Sequence, residues 1–300
     1  MCKLLLSRSV WRPLQVALLL GAIASCRRMP QSDLILPGAR VERVREGFEF
    51  TEGPAVDREG NVYFSDIPRS RVYRWSAQDG KITLFRENSA GANGNYFDKI
   101  GNLISCEGKA RRVTSTDMTG RRTVIADSFD GLRLNSPNDL WIDPKGGIYF
   151  TDPRYGPMDD LEQDGEHVYY IAPDRKNLKR VADDLVRPNG IIGTPDGKTL
   201  YIADEAANKT WLYSINADGS LTGRRLFVAQ GSDGMTIDEK GNIYLTRGGV
   251  TVYDPAGKRI EQIPVPLEPA NCTFGGADGK TLFITARTAV FTLKMTVHGR

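Results

Sequence analysis

The sequence predicts an all-β chain, a six-bladed β-propeller, on three observations. A glycine turn runs into a short strand of large apolar residues six times over. The glycines Gly60, Gly101, Gly146, Gly197, Gly241 and Gly279 lie 41, 45, 51, 44 and 38 residues apart. Eight residues before each stands a side chain with an amide or carboxylate oxygen: Glu52, Asn93, Asn138, Asn189, Asp233 and Asn271. A period near 40 residues holding several short strands is the mark of a propeller blade, a small sheet that buries its faces only against its neighbours.

The elements follow in chain order. In the first repeat, 61–66, 71–76 and 81–86 alternate as strands, and Gln78-Asp-Gly80 is a hairpin turn. The third repeat is lengthened by a loop-like stretch, Met158–Glu166, that ends beside His167. The last repeat has strands near 281–286 and 289–295 and then lacks an outer one. A strand at 41–44 stands before Glu52 as 178–181 stands before Asn189, so it is expected to pair with the last blade and close the ring. Helical periodicity is nearly absent after residue 30, which excludes a helical solenoid.

The chain divides into three expected parts: a signal over 1–25, a tether over 26–38 and the propeller over 39–300. Lys3, Arg8 and Arg12 precede an apolar run, 14–23, broken only by Gln15 and too short to span a bilayer. The run ends Ile23-Ala-Ser-Cys26, similar to the lipobox of bacterial lipoproteins, so Cys26 is the expected lipidation site. Localisation on the periplasmic side of a bacterial membrane, held by lipid alone, follows from that reading. Without residues 1–25, 37 basic residues face 37 acidic ones. That balance gives no argument for a nucleic-acid partner. Cys106 and Cys272 fall in repeats two and six, which are not adjacent in a six-membered ring, so no disulfide is expected.

Asp, Glu and Asn make up one residue in six, so six oxygens at one offset are not a composition effect. Innermost strands face the axis, and matched residues beside them would ring one end of the channel. With two histidines, His167 and a near-terminal His298 expected to be mobile, neither a Ser-His-Asp triad nor a zinc centre is well supplied. Two carboxylates and four amides suit a hard divalent cation, Ca²⁺ first, then Mg²⁺ or Mn²⁺. A carboxylate pair acting alone as acid and base is the alternative, but two such groups side by side would repel.

Thr51-Glu-Gly-Pro54, Asn135-Ser-Pro-Asn-Asp139, Thr151-Asp-Pro153 with Tyr155-Gly156, Arg187-Pro-Asn-Gly190, Ser232-Asp-Gly-Met235 and Asn271-Cys-Thr-Phe-Gly-Gly276 together resemble the gluconolactonase family. That family also includes the senescence marker protein and luciferin-regenerating-enzyme homologues, and the resemblance runs from about residue 43 to 295. It implies a central metal site, usually Ca²⁺ with Mg²⁺, Mn²⁺ or Zn²⁺ as substitutes in vitro. Its ligands would be Glu52, Asn138, Asn189 and Asp233. It further implies hydrolysis of a small sugar lactone by a monomer, with Asp233 as general base. Asn93, Asn271 and Asp139 would then bind substrate. A phosphotriesterase at the same metal, or a non-enzymatic ligand-binding propeller at the cell surface, are the other readings. One departure concerns the substrate wall: family members often carry Cys-Glu-His-Gly where this chain has Cys106-Glu-Gly-Lys109.

Overall fold

A computed structural model describes residues 33–299. The expected signal and Cys26 lie outside them. Six four-stranded antiparallel sheets make up the fold, with one added hairpin of Ser128–Phe129 and Leu132–Arg133. The first strands of the sheets are Thr51–Val56, Ala92–Phe97, Leu140–Ile142, Pro188–Gly193, Met235–Ile237 and Asn271–Gly275. Each contacts the first strand of the next sheet, and the sixth meets the first, so these strands line the axis. The glycine-turn strands, such as Val62–Asp66, lie second from the axis and are almost wholly buried. Outer strands such as Ile82–Arg86 are largely exposed. The ring oxygens therefore sit in or just before an innermost strand that the apolar pattern does not reveal.

The repeated Asp-x-x-Gly-Asn turn has a local cause. Asp57 Oδ1 accepts the backbone N–H groups of Glu59 and Asn61, both at 2.9 Å. Asp98 and Asp238 do the same in their blades. The carboxylate thus satisfies donors that the turn leaves free.

Neighbouring blades are clasped at the ring. Gly94 N–H donates to the Asn138 carbonyl at 2.7 Å, and Gly234 N–H to that of Ala270 at 2.7 Å. Second-strand hydroxyls do likewise: Ser65 to the Asn93 carbonyl at 2.9 Å, Thr151 to that of Asn189 at 2.8 Å. Glycine is required for this approach. A Cβ at Gly53, where φ is +53°, would lie 1.8 Å from the Asn93 carbonyl oxygen, and one at Gly234 would lie 1.9 Å from the Asn271 side chain.

The ring closes as the sequence predicts. Glu42–Glu46 pairs antiparallel with Ala289–Lys294 and forms the outer strand of the sixth blade. Phe283 of that blade packs 5.5 Å from both Phe64 and Trp75 of the first. The tether expected over 26–38 needs correction at its end. Leu34 is buried in the sixth blade's core, Ile35 bridges Met295, and Leu36 N–H donates to the Lys294 carbonyl. Leu34 and, in part, Ile35 gain from burial there, while Leu36 stays half-exposed. The C-terminus is likewise held. His298 pairs with Glu239 at 2.7 Å and its carbonyl accepts the Glu239 N–H, so it is not the mobile residue expected. Cys106 and Cys272 are buried free thiols.

Candidate active site

Glu52, Asn93, Asn138 and Asp233 line one cavity of about 590 Å³ at the start of the inner strands, together with Phe50, Lys109 and Tyr155. Asn189 lines an adjoining cleft of about 170 Å³ that shares Asp233 and Tyr155. Five of the six ring residues therefore meet at one mouth of the channel. Asn189 Nδ2 donates to Asp233 Oδ1 and to the Tyr155 hydroxyl, both at 2.7 Å.

Asn271 and Asp139 face elsewhere. They line a separate cavity of about 200 Å³ farther along the inner strands, among Pro54, Leu140 and Ile191. Asn271 Nδ2 donates to Glu52 Oε2 at 3.1 Å and to Asp139 Oδ2 at 3.3 Å, and its Oδ1 accepts the Cys272 N–H. The amide is thereby committed to the protein. Both residues lie beside Glu52 on this second cavity, whereas Asn93 lies on the first.

Glu52 and Asp139 are buried around this axis and Asp233 is half-buried beside them, and none of the three makes an ion pair among the described residues. Burial pushes the Glu52 carboxyl well above the usual range, and the charges of Asp233 and Asp139 push it further. Burial lifts Asp139 to about 7, against the hydrogen bonds from Leu140 and Asn271. It lifts Asp233 to about 6, against the bond from Asn189 and the charge of Arg287. Such a cluster holds protons or a cation.

The donor set decides which cation fits. No three His, Cys, Asp or Glu side chains form a metal centre among the described residues. Amide oxygens must then complete any shell. Asn138 is suited to this, because no hydrogen bond engages its side chain among the described residues. The Asn189 amide, turned over about its last torsion, would present Oδ1 where Nδ2 now meets Asp233. Two carboxylates with two neutral amides fit a hard, oxygen-seeking divalent ion.

His167 begins the third strand of its blade, His167–Ile171, and its Nε2 bonds Asp164 at 2.9 Å. That position is off the axis and gives no triad. Sequence reasoning missed Tyr155 as a site residue, although it stood inside a quoted motif. Arg187 stacks 5.2 Å from its ring centroid, which steadies the half-exposed side chain over the mouth.

A six-bladed propeller with buried carboxylates and amides gathered at one mouth of its channel is a propeller of the axial-site class. The sequence profile of the SMP-30/Gluconolactonase/LRE-like region matches residues 50–288. The chain belongs to that family. It is 31% identical to a gluconolactonase of Zymomonas mobilis over 307 aligned residues, covering 90% of this chain and 85% of the relative. It is 28% identical to the lactonase drp35 of Staphylococcus saprophyticus over 250 residues, 75% of this chain and 72% of that one. The solved structure of a gluconolactonase from Xanthomonas campestris superposes with a TM-score of 0.81 at 33% identity, covering 87% and 91% of the two chains. A luciferin-regenerating enzyme at 17% identity shares the fold, with a TM-score of 0.75 over 88% of this chain and 98% of that one.

Proposed function

We propose that this chain is a divalent-metal-dependent lactonase that opens a small sugar lactone to its aldonic acid. The observation that carries the reading is the meeting of Glu52, Asn93, Asn138 and Asp233 on one cavity large enough for a monosaccharide. Kinship at 31–33% identity with proteins named gluconolactonase supports the substrate class. Glu52, Asn138, Asn189 and Asp233 would hold the ion, and an all-oxygen set favours Ca²⁺ over Mg²⁺, Mn²⁺ or Zn²⁺. When bound, such an ion supplies Lewis acidity toward the lactone carbonyl.

The chain's own groups do the rest. Asp233 takes the proton of a water as its oxygen adds to the carbonyl carbon. The ring C–O bond then breaks, and the departing alkoxide takes that proton from Asp233. Asn93, whose side chain is free of hydrogen bonds among the described residues, orients substrate hydroxyls at the mouth. Tyr155 and Phe50 wall the cavity and exclude bulk water.

A panel of five- and six-membered sugar lactones and one phosphotriester, assayed with and without chelator, tests the reading. Lactone turnover is expected, lost on chelation and restored by Ca²⁺. Turnover of the phosphotriester alone would replace the lactonase by an esterase of another class. Full lactone activity in metal-free protein would remove the ion from the mechanism, and no turnover at all would favour a binding propeller.

From the sequence we also propose export, with the monomeric propeller anchored to the periplasmic face of a membrane by lipid on Cys26. Metabolic labelling with a fatty-acid analogue should mark the wild type and not Cys26→Ser. Equal labelling of both, or soluble cytoplasmic wild type, would refute the anchor.

A further inference from the structure

We infer that the preferred substrate carries an anionic group, a carboxylate or a phosphate, away from its lactone carbonyl, and that Lys109 selects for it. The inference rests on the lactonase reading and names the substrate class within it.

Lys109 lines the same cavity as Glu52, Asn93 and Asp233. It sits on the turn between Leu103–Glu107 and Arg112–Thr116. That turn is held firmly. Gly108 N–H donates to the Gly91 carbonyl at 3.1 Å, Ala110 N–H to that of Ala90 at 3.3 Å, and the Ser136 hydroxyl to that of Gly108 at 3.0 Å. A Cβ at Gly91 would come within 2.6 Å of the Lys109 Cβ, so Gly91 lets the turn pack down. The backbone of Lys109 is fixed while its side chain is exposed to the cavity.

Its ammonium makes no ion pair or hydrogen bond among the described residues. The neighbouring cations are all engaged. Arg287 stacks 5.2 Å from the Phe50 centroid and acts on Asp233. Arg111 and Arg154 both reach Asp160, with Arg111 Nη1 at 3.2 Å from that carboxylate. Asp160, with Glu162 and Asp152 also acting on Arg111, balances the guanidiniums, so Lys109 is the cation on this wall left without a partner among the described residues. Arg111 Nη2 is also buried there with no hydrogen-bond partner. A neutral sugar is served by amides, which both donate and accept. An ammonium only donates, and its preferred acceptor is an anion. Lys109 stands opposite in charge to Glu52 and Asp233, so it gives an anionic substituent a place apart from the reacting end. A volume of about 590 Å³ takes a monosaccharide with such a group.

The experiment measures kcat/KM at low and high salt for wild type, Lys109→Ala and Lys109→Glu. The substrates are a neutral aldonolactone, a lactone bearing a free carboxylate and a phosphorylated lactone. Lys176→Glu, an exposed residue away from the mouth, controls for net charge. Wild type should prefer one of the two anionic lactones by about tenfold or more, and salt should narrow the gap. Which of the two wins separates carboxylate from phosphate. Lys109→Glu should cut kcat/KM for that substrate by at least about tenfold more than for the neutral lactone, mainly through KM, with the Lys176→Glu control unchanged. Preference for the neutral lactone, or equal losses on all three substrates, would overturn the assignment and leave the lactonase standing. Turnover of none would remove the lactonase reading, and this assignment with it.

Discussion

Asp233→Asn is expected to keep its fold and most of its metal while kcat falls by at least about 10²-fold, the scale of losing a general base. The change is isosteric. The retained Oδ1 still accepts the 2.7 Å bond from Asn189 Nδ2 and still offers an oxygen to a cation. What disappears is the basic site and one negative charge beside Glu52. Losing that charge relieves the repulsion that raises the Glu52 carboxyl, so the remaining acid ionises more readily and partly restores cation affinity. Metal content and kcat should be measured on the same preparation. Full metal with near-normal kcat would move the base to another carboxylate. Loss of both together would leave Asp233 a ligand whose basic role is unproven, and proton inventory on Asn93→Ala, which keeps Asp233, would then be the deciding measurement.

The ring was legible in the sequence because the fold repeats it. Every blade needs the same glycine turn, and the residue eight positions earlier always reaches the axis. The innermost strands themselves were not legible. They read Glu-Gly-Pro-Ala, Asn-Gly-Asn and Pro-Asn-Gly, which are turn signals by composition. Those residues are there because six strands crowd one axis. Gly53, Gly94, Gly190 and Gly234 each follow a ring residue, and a Cβ at any of them would strike the next blade. Blades three and six break that rule with Asp139 and Cys272. The position of Asp139 in the repeat identified it as an inner residue, but not which way along the channel it looks. The same holds for Asn271: the offset fixes its place in the ring and not the partners its amide takes, Glu52 and Asp139. Tyr155 and Lys109 lie on turns that follow second strands of blades, where the repeat fixes no residue type, so no periodic argument could reach them.

Glu52→Gln should abolish metal binding and activity, with kcat/KM down by at least about 10²-fold, and yet stabilise the chelated protein near neutral pH. The sign follows from linkage. Glu52 has a folded-state pKa above its unfolded one, as do Asp233 at about 6 and Asp139 at about 7. Below the unfolded values, near 4, every one of these acids is protonated in both states and the native state bears no burial penalty. As pH rises, the unfolded chain releases its protons first, and stability falls until the folded groups have also ionised. Chelated wild type should therefore melt lower at pH 8 than at pH 5. Glu52→Gln should accordingly be more stable than chelated wild type at pH 8, with little difference between the two at pH 5. Added Ca²⁺ should restore the wild type at pH 8 by neutralising the cluster, and leave the variant unchanged. Melting curves at both pH values, with chelator and with Ca²⁺, give all four comparisons. A variant less stable than chelated wild type at pH 8 would make the bonds of Glu52 to Asn271 and Gly53 its main contribution. The carboxylate would then be structural, and the cation would have to sit without it.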